Sequence, residues 1–106
     1  MKNKKRKKTS DAYEILERRA EGDPELQRMM AIAYVNAEVA QLVYDARVAH
    51  KLTQAQLAKL VGTTQSVIAR LEDADYDGHS LKMLSRIAEA LDQTIEVHFV
   101  PKKKAA

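Results

Sequence analysis

The stretch TQAQLAKLVGTTQSVIARLE, Thr53 to Glu72, holds two short helical patterns on either side of a single glycine, Gly62. Neither half is long enough to be a stable helix alone. Thr53 followed by Gln56 has the spacing of a capping box and opens a helix to about Val61. Thr64 suits the N-cap of a second helix through Leu71 or Glu72. Gly62 falls between them, where a positive φ is needed to turn the chain.

The second helix has two faces. With Gln65 at zero and about 100° per residue, Ala69, Ser66 and Arg70 fall at about 40°, 100° and 140°. Leu71 and Ile68 fall at about 240° and 300°. The small and polar side turns outward and the apolar side inward. An ordinary surface helix has the same division, so the spacing across both halves carries more weight. Leu57, Ala58, Val61, Ile68 and Leu71 are apolar where two crossing helices must touch, and Ala58 is small, as close approach requires. This is a helix-turn-helix pattern, in which the first helix crosses the DNA backbone and the second enters the major groove.

Helix signals also dominate outside this stretch. Asp11 with Glu14 opens a short helix to about Glu21, and Gly22 stops it. Asp23-Pro24 is an N-cap followed by proline at the first helical position. Nothing then breaks the helix until about His50, a length of about 40 Å. Leu26, Met30, Ala33, Ala37 and Ala40 form one stripe along it, continued by Val39, Leu42, Val43 and Ala46. That stripe reads as core or as a face for a partner. Ser80 caps a further helix whose buried face is Leu81, Leu84, Ile87, Ala88 and Leu91.

The period changes at TIEVHFV, Thr94 to Val100, where Ile95, Val97 and Phe99 alternate with Glu96 and His98 and Pro101 ends the run. This predicts one strand, whose backbone groups need a partner. The expected partner is its copy in a dimer, with a partner's sheet edge or an extended N-terminal segment as alternatives.

The expected fold is therefore all-α, five or six helices around a helix-turn-helix core, with one short C-terminal β-strand. The expected organisation is a basic tail over 1–9, a helical extension over 10–36, the helix-turn-helix domain over 37–93, a dimerising strand over 94–101 and a second basic tail over 102–106.

The net charge of +3 hides a division. Six Lys or Arg lie in the first eight residues and three more in Lys102 to Lys104. Between Thr9 and Pro101 nine basic residues face fifteen acidic ones, a net charge of −6. The basic ends read either as solvated tails or as a sequence-independent attraction to polyanions. There is no cysteine, which rules out disulfides and thiolate metal sites and fits a reducing cytoplasm. No apolar run approaches the roughly 18 residues of a membrane helix, and no apolar segment follows the basic start, so no secretion signal is expected.

The stretch is similar to the XRE or Cro/repressor-type helix-turn-helix family, whose motif reads L-T-Q-x-x-L-A-x-x-x-G-x-[ST]-Q-S-x-I-x-R-x-E. Leu52, Thr53, Gln54, Leu57, Ala58, Gly62, Thr64, Gln65, Ser66, Ile68, Arg70 and Glu72 occupy those places. SLKMLSRIAEALD, from Ser80, resembles the family's fourth helix. The resemblance covers roughly Val39 to Asp92 and implies a lambda-repressor-like DNA-binding fold. It implies that Gln54 holds a phosphate, and that Gln65, Ser66 and Arg70 face the groove. Glutamine suits adenine and arginine suits guanine. Thr64 is implied as a cap within reach of a phosphate; at Ala69, where the family often has Ser or another polar residue, this chain offers a methyl for thymine. Arg47 and Glu72 resemble a structural pair tying the first helix to the end of the recognition helix.

The chain departs from the family pattern after Glu72, where DADYDGHS replaces a short turn. Asp73, Asp75, Asp77 and Gly78 spell the opening of a calcium loop, but its twelfth position is Leu84 rather than a bidentate Glu. The expectation is an acidic solvated turn and no metal. His50, His79 and His98 are isolated, and no nucleophile triad, HExxH or phosphate loop is present. Neither an enzyme nor a cofactor is expected.

The segment before the motif, with Asp23-Pro24-Glu25 leading a long helix, is similar to HigA-type antitoxins. That resemblance implies a protein that neutralises a RelE-like (HigB-like) messenger-RNA-cleaving toxin and represses its own operon. The same layout occurs in stand-alone regulators, so two readings stay open: an antitoxin with DNA binding as feedback, and a homodimeric repressor acting alone on a palindromic operator.

Overall fold

A computed structural model describes residue 12 and residues 14–102. The basic stretch 1–9 and Asp11 lie outside the described residues, as do all but the first residue of 102–106. Residues 14–20 are helical (α1) and end at Gly22, whose φ of 76° reverses the chain. Then follow α2 (Pro24–Ala49), α3 (Gln54–Val61), α4 (Gln65–Leu71) and α5 (Leu81–Ala90).

Local chemistry accounts for each boundary. Asp23 accepts the Leu26 N–H at 3.1 Å and Pro24 supplies the first turn of α2. Thr53 and Gln56 form a reciprocal capping box at the start of α3, with bonds of 3.1 and 2.8 Å. Ser80 caps α5 through the Met83 N–H at 3.1 Å. Three helices then end alike: Thr63 N–H reaches back to Ala58 O, Leu52 N–H to Arg47 O and Gln93 N–H to Ala88 O. These six-to-one bonds each need a left-handed residue just before the donor. Gly62 supplies one at φ 86°, but Lys51 and Asp92 supply the others at 57° and 58°.

The core is formed by Val43, Leu57, Ala58, Val61, Ile68, Leu71, Ile87 and Leu91. Leu57 and Ile68 are completely enclosed at the crossing of α3 and α4. Leu84 packs against this core, and so does Tyr76 from the loop before α5. Leu81 departs from expectation and is exposed. It stands in the first turn of α5 and about 70° from the centre of the apolar stripe, so the core does not reach it.

The long stripe on α2 is core only in its second half. Ala40 and Val43 are buried, whereas no residue from Pro24 to Val39 is. Met29, Ile32, Tyr34 and Val35 stand exposed there. The helix is continuous through Asn36 and Ala37, so extension and domain share one rod. No helix among the described residues is long and apolar enough to cross a membrane.

The C-terminal strand expected over 94–101 is not formed: among the described residues the protein is all-helical, and 93–102 carry no regular secondary structure. A strand requires a second strand to take its hydrogen bonds, and no described segment lies beside it as one. Ile95 is half-buried, while Val97, Phe99 and Val100 are exposed.

Candidate nucleic-acid interface

Seven residues make up α4, from Gln65 to Leu71. Thr64 caps it by accepting the Val67 N–H at 3.3 Å. Ile68 and Leu71 are buried, which fixes the helix's rotation. Gln65, Ser66, Ala69 and Arg70 are consequently all exposed on the opposite side, and Thr64 is exposed at its start. Such a helix is far too short to hold itself; burial of one face presents the other.

Behind α4 lies a polar clamp. Arg47 Nε donates to Glu72 Oε2 at 2.7 Å, and Arg47 Nη2 donates to Glu72 Oε1 at 3.0 Å. Arg47 Nη1 donates to Leu52 O at 2.8 Å. The Arg47 and Glu72 side chains retain 13% and 5% exposure, so the pair is largely desolvated. The Glu72 hydrogen bond raises the Arg47 pKa above its ordinary value, against the opposing effect of burial. The guanidinium also lies 5.2 Å from the Tyr44 ring centre. One arginine thereby ties α2, the α2–α3 turn and the end of α4 together.

Gln54, the first residue of α3, joins this clamp. Its Nε2 donates to Glu72 Oε1 at 3.2 Å. That uses one of its two amide donors. Gln54 is half-buried, whereas the group on α4 is exposed.

Two further residues support α4 and its turn, and their roles were not read from the sequence. Arg86 Nη2 on α5 donates to Val61 O at 2.9 Å, at the carbonyl end of α3 beside Gly62. His79 Nε2 donates to Leu71 O at 2.7 Å, the last carbonyl of α4. The His79 ring meets Tyr76 edge-on at 5.1 Å between centroids. A Cβ at Gly78 would run into the Tyr76 ring. The acidic loop is therefore anchored by Tyr76 and His79, while Asp73, Asp75 and Asp77 stay in solvent. Asp73 Oδ1 accepts the Asp75 N–H at 2.9 Å, which closes a local turn. No sequence signal distinguishes Arg86 from other basic residues of α5.

A helix-turn-helix family model matches residues 43–97, more than half of the chain. The protein belongs to the XRE-type helix-turn-helix family, and its domain is a DNA-binding one. The chain matches no curated protein and no solved structure.

Proposed function

We propose that this protein is a transcriptional repressor that binds an operator in double-stranded DNA as a homodimer. The observation that carries the reading is the outward face of α4: Gln65, Ser66, Ala69 and Arg70 are exposed together on a helix fixed from behind by core and clamp. Gln65 and Arg70 carry the side chains that pair with adenine and guanine edges in the major groove. Ser66 adds an adaptable donor and acceptor, and Ala69 a methyl for thymine. Thr64 and Gln54 serve as phosphate contacts that set register. Such a role places the protein with the DNA, in the cytoplasm. Two recognition helices about 34 Å apart read a palindrome. The test is selection from randomised duplex DNA followed by footprinting. Enrichment of one palindromic site supports the reading; uniform, salt-sensitive binding to all sequences refutes it.

A second reading adds a protein partner. The first half of α2 exposes Met29, Ile32, Tyr34 and Val35, more apolar surface than a solvated helix needs. The body between Thr9 and Pro101 carries a net −6, which suits a basic partner. These features favour an antitoxin of a HigBA-like pair that covers a RelE-like ribonuclease and represses its own operon. Co-expression with the adjacent open reading frame tests it. A neighbour that arrests growth alone, is harmless with this chain and co-purifies with it supports the antitoxin. Deleting residues 1–36 then abolishes co-purification and spares DNA binding. A harmless, non-binding neighbour leaves the stand-alone repressor.

A further inference from the structure

The C-terminal segment leaves α5 and runs back along α2. Ile95 shares an apolar groove of about 200 Å³ with Leu42, Ala46, Leu84 and Leu91. Lys102 lies beside Pro24, Arg28 and Ala31, near the start of the same helix. Between these points Val97 is 66% exposed and Phe99 is 104% exposed, as open as in an extended chain. A fully exposed phenylalanine and a groove open beside Ile95 are both unfavourable in water.

The segment IEVHFV is self-complementary in one register. A two-fold axis relates the copies of a homodimer, so residue i meets j as j meets i. Antiparallel pairing about Val97 sets Val97 opposite its own copy, Ile95 opposite Phe99, and Glu96 opposite His98. Ile95, Val97 and Phe99 then share one face and Glu96 and His98 the other, as strand alternation requires. Within one chain His98 Nε2 already lies 3.1 Å from Glu96 Oε1, so the two side chains are compatible neighbours. Centring on Glu96 sets two carboxylates against each other, and centring on His98 stacks two imidazoles. Slipping by one residue sets apolar side chains against polar ones.

We propose that residues 95–99 of two copies pair antiparallel about Val97, and that Phe99 of each copy fills the groove beside Ile95 of the other. The proposal rests on the homodimer reading and supplies its interface. The register places Phe99 of the second copy on the same face as Ile95, which is the groove side. Each copy thus satisfies the backbone groups that a single chain leaves without a ladder.

The absence of cysteine makes the register testable by cross-linking in the full-length protein. Val97→Cys, Glu96→Cys and His98→Cys are each oxidised under mild conditions, and dimer mass is read by sedimentation for the wild type and Phe99→Asp. The expected result is a wild-type dimer, a disulfide-linked dimer for Val97→Cys alone, and a dimer Kd at least about tenfold higher for Phe99→Asp. Phe99→Asp should keep the helical circular dichroism of the wild type, since Phe99 packs on nothing within its own chain. Cross-linking through Glu96→Cys or His98→Cys instead overturns the register. A Phe99→Asp dimer as tight as the wild type overturns the groove assignment. A monomeric wild type overturns the homodimer reading itself, whereas a dimer that Val97→Cys does not link overturns only this interface.

Discussion

Arg47 and Glu72 lie 25 positions apart in the chain and share two hydrogen bonds, of 2.7 and 3.0 Å, in a largely desolvated site. The pair couples the end of α2 to the residue that caps α4. Removing one partner leaves the other charge part-buried and uncompensated, at a cost of about 1–3 kcal/mol. Glu72→Ala should therefore lower the unfolding free energy read from urea titration by that much. The double variant Arg47→Met, Glu72→Leu should recover most of the loss, because no charge is then stranded. A double variant as unstable as Glu72→Ala would show that the pair stabilises by more than mutual charge compensation.

Truncating the exposed side chains of α4 should separate binding from folding. Gln65→Ala and Arg70→Ala each truncate an exposed residue, so melting temperature should stay within error of the wild type. Specific DNA affinity should fall by about 1–3 kcal/mol for each. Gel-shift titrations against selected and scrambled duplexes read the difference. Affinity unchanged in both variants would remove α4 from the role of recognition helix.

Four helix ends among the described residues use the left-handed region, and glycine supplies only two of them, Gly22 and Gly62. At Gly62 an added Cβ meets Arg86 Nη2 at an ordinary 3.6 Å, so space is not the obstacle. The cost of Gly62→Ala is backbone strain, about 1–2 kcal/mol. Lys51→Gly is the inverse experiment, since Lys51 already has a φ of 57°. It should be neutral or stabilising by up to about 1 kcal/mol, once glycine's larger unfolded-state entropy is set against the relieved strain. Chemical denaturation of both variants measures the pair of effects.

Arg86→Met should loosen the turn without opening the core. It removes the charged donor to Val61 O and keeps a long apolar stem. A part-buried bond of this kind contributes about 1 kcal/mol. Hydrogen exchange at the end of α3 and the start of α4 should accelerate, and specific DNA affinity should fall more than non-specific affinity. Arg86→Lys should restore part of both. Equal loss on specific and scrambled duplexes would instead make Arg86 a direct phosphate contact.

Much of the molecule was legible in the chain because its signals are local. Capping residues Asp23, Thr53, Thr64 and Ser80 set the helix starts, since each bonds a backbone N–H three residues on. The spacing of Leu57, Ala58, Ile68 and Leu71 announced two crossing helices. Two expectations failed where the answer depended on neighbours. Leu81 has the right residue type for a buried face but sits beyond the core's reach. Residues 94–100 alternate as a strand does, yet form none within one chain, because a ladder's hydrogen bonds belong to two segments.

The sequence by itself determined the helix-turn-helix, from the caps, the glycine turn and the apolar spacing, all of which act over a few residues. Only the tertiary structure decided how that unit is held. It set Arg47 against Glu72 and Leu52, placed Gln54 within the same clamp, brought Arg86 to the end of α3, and anchored the acidic loop through Tyr76 and His79. These contacts join residues up to 25 positions apart, and their distances follow from how the helices pack rather than from any local pattern. Among the described residues the same packing leaves the first half of α2 and most of the C-terminal segment exposed, because the core lies beyond them.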